Sequence, residues 1–357
     1  MARVAPRRLS WKRSALWRNL FAIRAVSASG WDDPGPFALQ SGGRPEMTEW
    51  GMRFAAVLNR EGGTLRTTDL DALAERMRGM LEARGHRLEI DIVGGGEISA
   101  ALAEVAGRRG VDVVLAGGGD GTISTAAAAL VGSGKALAVL PAGTMNLFAR
   151  GLGIPTALDA ALASFAGADV ATVDVATANG RIFVHQFSIG MHARMVRLRE
   201  SMEFGSRLGK MRASVQAAWR TINSPRAMQV AMTIGEAEIT ARTTGIGITN
   251  NLFGEGHLPY ADNPAGGVLG IYVMAARERS EFARLLFDVA RGRWRDSAHV
   301  EVHQSNRVVL NIRSGISRLG AVMDGELVPL ERRTTIESLP GALKVLVPSG
   351  AAWAKAA

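Results

Sequence analysis

From Met52 onward, short apolar runs alternate with amphipathic stretches, the pattern of βαβ units around a parallel sheet. Phe54 to Leu58, Leu88 to Val93, Val111 to Ala116, Ala136 to Leu140 and Val170 to Val175 read as strands. Between the first two, Leu70, Leu73, Met77 and Leu81 recur at helical spacing, with Thr67 or Thr68 to cap the helix and Gly85 just past its end. Ile98, Leu102 and Val105 mark a second helix, and an alanine-rich stretch from Ile123 to Val131 marks a third.

Past residue 176 the texture turns β-rich, with runs at Arg181 to Ile189, Ala227 to Ile234, Thr244 to Thr249 and Leu269 to Met274. These predict a second, mostly antiparallel domain over 176–330, after a first α/β domain over 52–175. An Arg/Met-rich helical stretch from His192 to Thr221 interrupts it, as does a helix carrying Phe282, Leu285, Leu286 and Val289. Within 331–350, the apolar run Leu343 to Val347 is expected to return to the first domain's sheet, although its pattern does not say where it docks.

Composition narrows the classes. The 357 residues are 47% hydrophobic and 21% charged, enough for two globular domains. The absence of cysteine excludes a disulfide framework, thiolate metal clusters and a cysteine nucleophile, and fits a reducing compartment. No run reaches the ~18 uninterrupted apolar residues of a membrane-spanning helix. Of the formal charge of +9, residues 1–51 hold +4, so the remainder is only mildly basic and nucleic acid is not an expected partner. The basic segment 1–51, with Trp11, Trp17 and Phe21, is read as an unstructured extension or a misplaced start, with Met47 or Met52 as the working start.

The chemistry starts at Val111-Asp-Val-Val-Leu-Ala-Gly117-Gly118-Gly119-Asp120-Gly121-Thr122, a buried strand entering a glycine turn ahead of the alanine-rich helix. Glycines admit an anion close to the backbone, and a helix N-terminus offers it N–H groups and a partial positive charge. The dinucleotide spacing fails, because its last glycine would fall on Thr122, and no Gly-Lys-Ser/Thr of a Walker motif follows. Asp120 would repel a phosphate unless a cation such as Mg²⁺ screens it or the side chain makes a structural bond, for instance as a helix cap. A second turn, Leu140-Pro-Ala-Gly143-Thr144-Met-Asn146-Leu-Phe-Ala-Arg150, follows the next strand, and two such turns enclose the crevice where doubly wound, Rossmann-like sheets bind ligands.

These two motifs, followed much later by Asp324-Gly325-Glu326, resemble the diacylglycerol kinase catalytic-domain family of bacterial lipid kinases over roughly residues 52 to 348. The resemblance implies an ATP-binding α/β domain, a β-sandwich domain for the lipid acceptor, and ATP with Mg²⁺ in the cleft between them. It implies transfer of the γ-phosphoryl group to a lipid hydroxyl by a cytoplasmic protein with peripheral contact at a membrane surface. Gly117, Gly118, Gly119, Asp120, Gly121 and Thr122 would line the nucleotide, with Gly143, Thr144 and Asn146 from the second turn. Asn59, in Leu58-Asn-Arg-Glu-Gly-Gly63, sits where the family has an Asn-Pro-x-Ser-Gly turn, and Asp174 matches an acidic position lining the family's cleft. Glu326 would be the general base and Asp324 its support or a metal ligand, whereas the residues alone read Met323-Asp-Gly-Glu326 as a hairpin turn. One departure stands out. The family's acidic segment for a second, structural Mg²⁺ matches Pro264-Ala-Gly266-Gly267-Val-Leu269-Gly270, with glycine at both acidic positions.

Weaker signals compete. His299, Glu301 and His303 share a strand face with metal-like spacing, though a solvated face is the plainer reading. His185 and His192 flank Phe187-Ser188-Ile189-Gly190, which lacks the first glycine of a nucleophile elbow. Arg194, Arg197, Arg199, Arg207, Lys210 and Arg212 among Met and Leu fit either an anionic bilayer or an ordinary solvated helix face. The rival functions are an NAD kinase, which shares the GGDG turn, and an inert nucleotide-binding regulator at the membrane.

Overall fold

The computed structural model describes residues 51–165, 167–200, 227–257, 259–275, 278–290, 297–314 and 320–355. The basic extension before residue 51, and Arg207, Lys210 and Arg212, lie outside the described residues.

The α/β part runs β1 (Arg53–Asn59), α1 (Leu70–Glu82), β2 (Arg87–Val93), α2 (Ile98–Gly107), β3 (Val113–Gly118), α3 (Asp120–Leu130), β4 (Ala136–Pro141), α4 (Leu147–Gly151) and α5 (Leu158–Phe165). β2, β1, β3 and β4 lie side by side and parallel, so successive crossovers place α1 with α5 and α2 with α3. β1, β3 and β4 are buried on both faces, which is why they read as continuous apolar runs, whereas the edge strand β2 is half-buried: Val57, Leu58, Val114, Leu115, Leu137 and Leu140 are at most 1% exposed. Burying each such side chain contributes about 1.5–3 kcal/mol. α1 turns Leu73, Met77 and Leu81 inward, and its cap is Asp69, accepting from the N–H of Ala72, rather than Thr67 or Thr68. Those threonines instead fold back on the carbonyl of Thr64.

The second part supplies β5 (Asp169–Ala178), β6 (Arg181–Phe183), β7 (Gln186–Gly190), α6 (Met191–Glu200), β8 (Met228–Ile234), β9 (Ala237–Thr243), β10 (Gly245–Asn250), β11 (Leu269–Met274), α7 (Arg279–Ala290), β12 (Val300–Ser305), β13 (Arg307–Ser314), β14 (Ala321–Met323), β15 (Glu326–Val328) and β16 (Arg333–Val347). Among the described residues, a six-stranded sheet β12-β11-β10-β7-β14-β15 faces the far half of a ten-stranded sheet β2-β1-β3-β4-β16-β13-β8-β9, to which β5 and β6 attach through β16. Phe183, Phe187, Ile189, Val230, Ile248, Leu310 and Ile336 fill the space between them. The architecture is thus a parallel α/β domain joined to an antiparallel β-sandwich.

One strand belongs to both. β16 pairs with β13 from Arg333 to Glu337, then with β4 at Lys344 and Val345, and runs antiparallel to β5 along much of its length. The register shift between Leu339 and Leu343 falls at Pro340-Gly341, where Gly341 has φ +62 and a proline cannot donate to the ladder. The run Arg181 to Ile189 is also divided, at Val184 and His185, whose N–H groups are drawn to another partner described below.

Candidate active site

β1, β3 and β4 end together, and the turns that follow them pack through bare backbone. The N–H of Thr64 donates to the carbonyl of Ala142 at 2.8 Å, and the N–H of Ala142 to the carbonyl of Gly118 at 2.8 Å. Gly63 has φ +44, and a Cβ there would overlap the carbonyl of Ala142. A Cβ on Gly143 would stand 2.9 Å from the Cα of Gly119. Side chains reinforce the floor: Asn59 Nδ2 donates to Thr122 Oγ1 at 3.1 Å, and Asn59 Oδ1 accepts from the N–H of Glu61. The first turn of α3 leaves N–H groups without intrahelical acceptors, and its dipole places partial positive charge there.

Asp120 resolves the difficulty its charge posed. Its oxygens accept from the N–H groups of Asn146 at 3.0 Å and Leu147 at 2.7 Å, so it caps α4 and ties the first turn to the second. Asn146, with φ +50, closes its own turn by accepting from the N–H of Gly143 and donating to its carbonyl. Both residues shape the site with side-chain atoms already spent on protein partners. Thr144 is exposed, and its hydroxyl has no hydrogen bond among the described residues.

The opposite wall is the hairpin of β14 and β15, in which Met323 pairs with Glu326 around Asp324-Gly325. Both turn residues are left-handed, with φ +48 and +89, the geometry that favours Asp-Gly. Asp324 is at once turn and clasp: its carboxylate accepts from Ser124 Oγ at 2.6 Å and from the N–H groups of Val184, His185 and Gln186 at 2.8 to 2.9 Å. Burial pushes its carboxyl above the usual range, and these four donors pull the other way. With both oxygens engaged, Asp324 positions the hairpin against α3 and has no evident capacity to ligate a metal. Glu326, two residues on, is exposed and without a hydrogen bond or ion pair among the described residues. Its Oε1 lies 2.9 Å from where a Cβ of Gly121 would stand, so the carboxylate rests over the glycine turn because Gly121 has no side chain.

Asp174 is placed elsewhere. It is 2% exposed, and its oxygens accept from the N–H groups of Gly267 at 2.6 Å and Gly341 at 2.9 Å. It pins the β16 kink and the 264–267 loop, and it does not line the cleft. Asn251 holds the same loop through the carbonyl of Pro264. The segment with glycine at both expected acidic positions, Gly267 included, is thus held by direct hydrogen bonds.

Beside Gly121 opens a cleft of about 310 Å³, with α3 from Gly121 to Ala128 on one side and Met323, Glu326 and Val328 on another; of the predicted site residues, Gly121, Asp324 and Glu326 are on its described lining, and the rest of the two turns is not. Ser124 has no motif to announce it; the only sign in the sequence is a serine one turn past Asp120 in a helix otherwise rich in alanine. His185 stands beside the junction, stacked on Phe253 at 5.0 Å, which in turn stacks on Tyr272 at 5.6 Å. Burial pushes its imidazole down to about 4, against the opposing pull of Asp120. His192 lies 2.6 Å from the Oγ of buried Ser188. His303 is 20% exposed and leans at 3.1 Å on Glu301, which is 60% exposed. No cluster of three metal-ligating side chains occurs among the described residues.

Glycine turns on a parallel sheet, faced by an acidic hairpin from an antiparallel one, define a class of two-domain α/β proteins with a crevice beside the first turn. A model of the diacylglycerol kinase catalytic domain matches residues 53–178, and one of the YegS C-terminal NAD kinase beta sandwich-like domain matches residues 185–347. The chain belongs to the diacylglycerol kinase catalytic-domain family. It is 34% identical over 122 residues to "Probable lipid kinase YegS-like" of Citrobacter koseri, covering 33% of this chain and 41% of that protein. It is 41% identical over 93 residues to "Probable lipid kinase YegS" of Salmonella newport, covering 25% of this chain and 31% of that one. These alignments span less than half of either relative's length. A solved structure of a diacylglycerol kinase from Bacillus anthracis str. Sterne shares the fold with a TM-score of 0.64 at 19% identity, over 85% of this chain and 99% of that one.

Proposed function

We propose that this chain is an ATP-dependent lipid kinase that transfers the γ-phosphoryl group to the hydroxyl of diacylglycerol or a related lipid alcohol at a membrane surface. The observation that carries the reading is Glu326, whose carboxylate lies over Gly121 at the glycine turn while Asp324 locks its hairpin. In this reading the turns at Asn59–Gly63, Gly117–Thr122 and Ala142–Asn146 cradle the nucleotide phosphates with backbone N–H groups. Glu326 takes the proton from the acceptor hydroxyl as its oxygen bonds to the γ-phosphorus. The bond from that phosphorus to the bridging oxygen breaks, and ADP leaves with the electron pair. Phosphoryl transfer depends on positioning and charge stabilisation more than on covalent help, which suits a rigid backbone cradle.

Mg²⁺ would supply charge screening of the phosphates. The donor set fits an ion carried in by the nucleotide rather than one caged by protein, since Asp120, Asp174 and Asp324 are spent on N–H or hydroxyl donors and Glu326 is the acid left on the cleft wall. No helix among the described residues is long and apolar enough to cross a membrane, so the acceptor would be met at a surface.

The test is radiolabelled ATP with purified protein, offered diacylglycerol, sphingoid base, ceramide or NAD. Labelled lipid is the expected product. Label in NAD alone, the outcome suggested by the second domain's NAD kinase likeness, would replace the lipid reading.

A further inference from the structure

The cleft has a third side, formed by Arg181 and Ile182 of β6. Among the described residues, Arg181 is the one Lys or Arg on its lining, is exposed, and has no hydrogen bond or ion pair. Its backbone, by contrast, is held at both ends. Before it, the Asn179 side chain accepts from the N–H of Thr335 at 2.7 Å and donates to the carbonyl of Arg333 at 3.2 Å. After it, the N–H groups of Val184, His185 and Gln186 end on Asp324, the carboxylate that seats the hairpin of Glu326. Strand and hairpin therefore move as one.

The dimensions follow from the elements. Gly121 and Ala128 are about 10 Å apart along α3 at ~1.5 Å per residue. Arg181 precedes Val184 by three residues, about 10 Å of strand at ~3.3 Å per residue. The carboxylate of Glu326 stands at the Gly121 end of α3, and Arg181 is carried on β6 three residues before the bond of Val184 to Asp324. Ile182, Met323 and Val328 line the space with apolar surface, which strengthens a charge interaction formed there. A guanidinium presents a planar fork of donors that matches two oxygens of a phosphate.

We infer that Arg181 binds a phosphate group of a substrate inside this cleft, an inference that rests on the kinase reading. The phosphate is either the terminal one of the nucleotide or one in the acceptor's headgroup. Arg181→Ala and Arg181→Lys are compared with the full-length chain in two titrations and in turnover. One titration uses a magnesium-bound, non-hydrolysable ATP analogue. The other uses detergent micelles carrying phosphatidylglycerol or diacylglycerol. The alanine variant is expected to weaken binding, and to raise the matching KM, on the order of tenfold, as for loss of a charge-assisted hydrogen bond. Weakening confined to the ATP analogue identifies the nucleotide as the source, and weakening confined to phosphatidylglycerol identifies a headgroup. The lysine variant recovers part of the loss, and melting temperatures do not change, because the side chain is exposed. Wild-type binding and KM in the alanine variant overturn the inference, as does a wild-type chain that binds none of these probes. Failure of the kinase reading looks different: wild type then yields no labelled product with any acceptor, while the titrations still report on Arg181.

Discussion

The two walls of the cleft are built in opposite ways. The turn wall is almost all backbone: Gly63, Gly119 and Gly143 let the turns after β1, β3 and β4 approach to contact, and its polar side chains bond within the wall, Asn59 to Thr122 and Asp120 to the start of α4. The hairpin wall is a short turn that would not hold its own position, and a single buried carboxylate, Asp324, seats it through partners 138 to 200 residues away in sequence. The first wall fails when a side chain is added, the second when one is removed.

The largest effect should come from Asp324→Ala, which leaves the hydroxyl of Ser124 and the N–H groups of Val184, His185 and Gln186 without their acceptor. A loss of about 3–5 kcal/mol in chemical denaturation is expected for breaking a buried charged network. A loss under about 1 kcal/mol, the scale of a surface ion pair, would erase the contrast between the walls.

Acid should reach the junction next. His185 titrates at about 4 in the fold against 6.5 in the unfolded chain, so the unfolded state binds more protons between these values. Stability is fully present above the unfolded value and falls as pH drops from 6.5 towards 4. The total is about 3 kcal/mol for a shift of this size. His185→Phe should flatten that part of the stability profile; an unchanged slope would remove the histidine from the account.

Gly63→Ala tests the turn wall and should cost about 1–3 kcal/mol, because the added methyl meets the Ala142 carbonyl and the backbone is left-handed. Nucleotide affinity should fall in the same variant, since the turns move apart, and an affinity equal to wild type would separate the floor from the phosphate site. Smallest is Ser124→Ala, at about 1 kcal/mol for one hydrogen bond of the clasp. Its signature should be a lower kcat at unchanged KM for ATP, because α3 keeps its glycine turn while the hairpin loosens.

The same contrast explains what the sequence discloses. The turn wall is contiguous, so Gly117 to Thr122 and Gly143 to Asn146 are visible as motifs, and the strands beneath them are visible because they are buried on both faces. Asp324-Gly325-Glu326 is visible as a turn, but nothing local says that its aspartate is a clasp, because Ser124 and Val184 reach it only through the tertiary fold. Asp174 carries the reverse lesson: an acid at a strand end looks like a cleft residue until its oxygens are found on Gly267 and Gly341. Likewise, of β16 only the run Leu343 to Val347 is visible in the sequence, and only pairing with β13, β4 and β5 makes it the strand shared by both domains.

The central claim is that Glu326 is the proton acceptor held over the glycine turn. Its most direct test is Glu326→Gln, with turnover and binding of magnesium-bound ATP measured on the same preparation. The account predicts turnover lower by about 10²- to 10⁴-fold, the usual contribution of a general base, with ATP affinity close to wild type. Turnover that survives the substitution would contradict it.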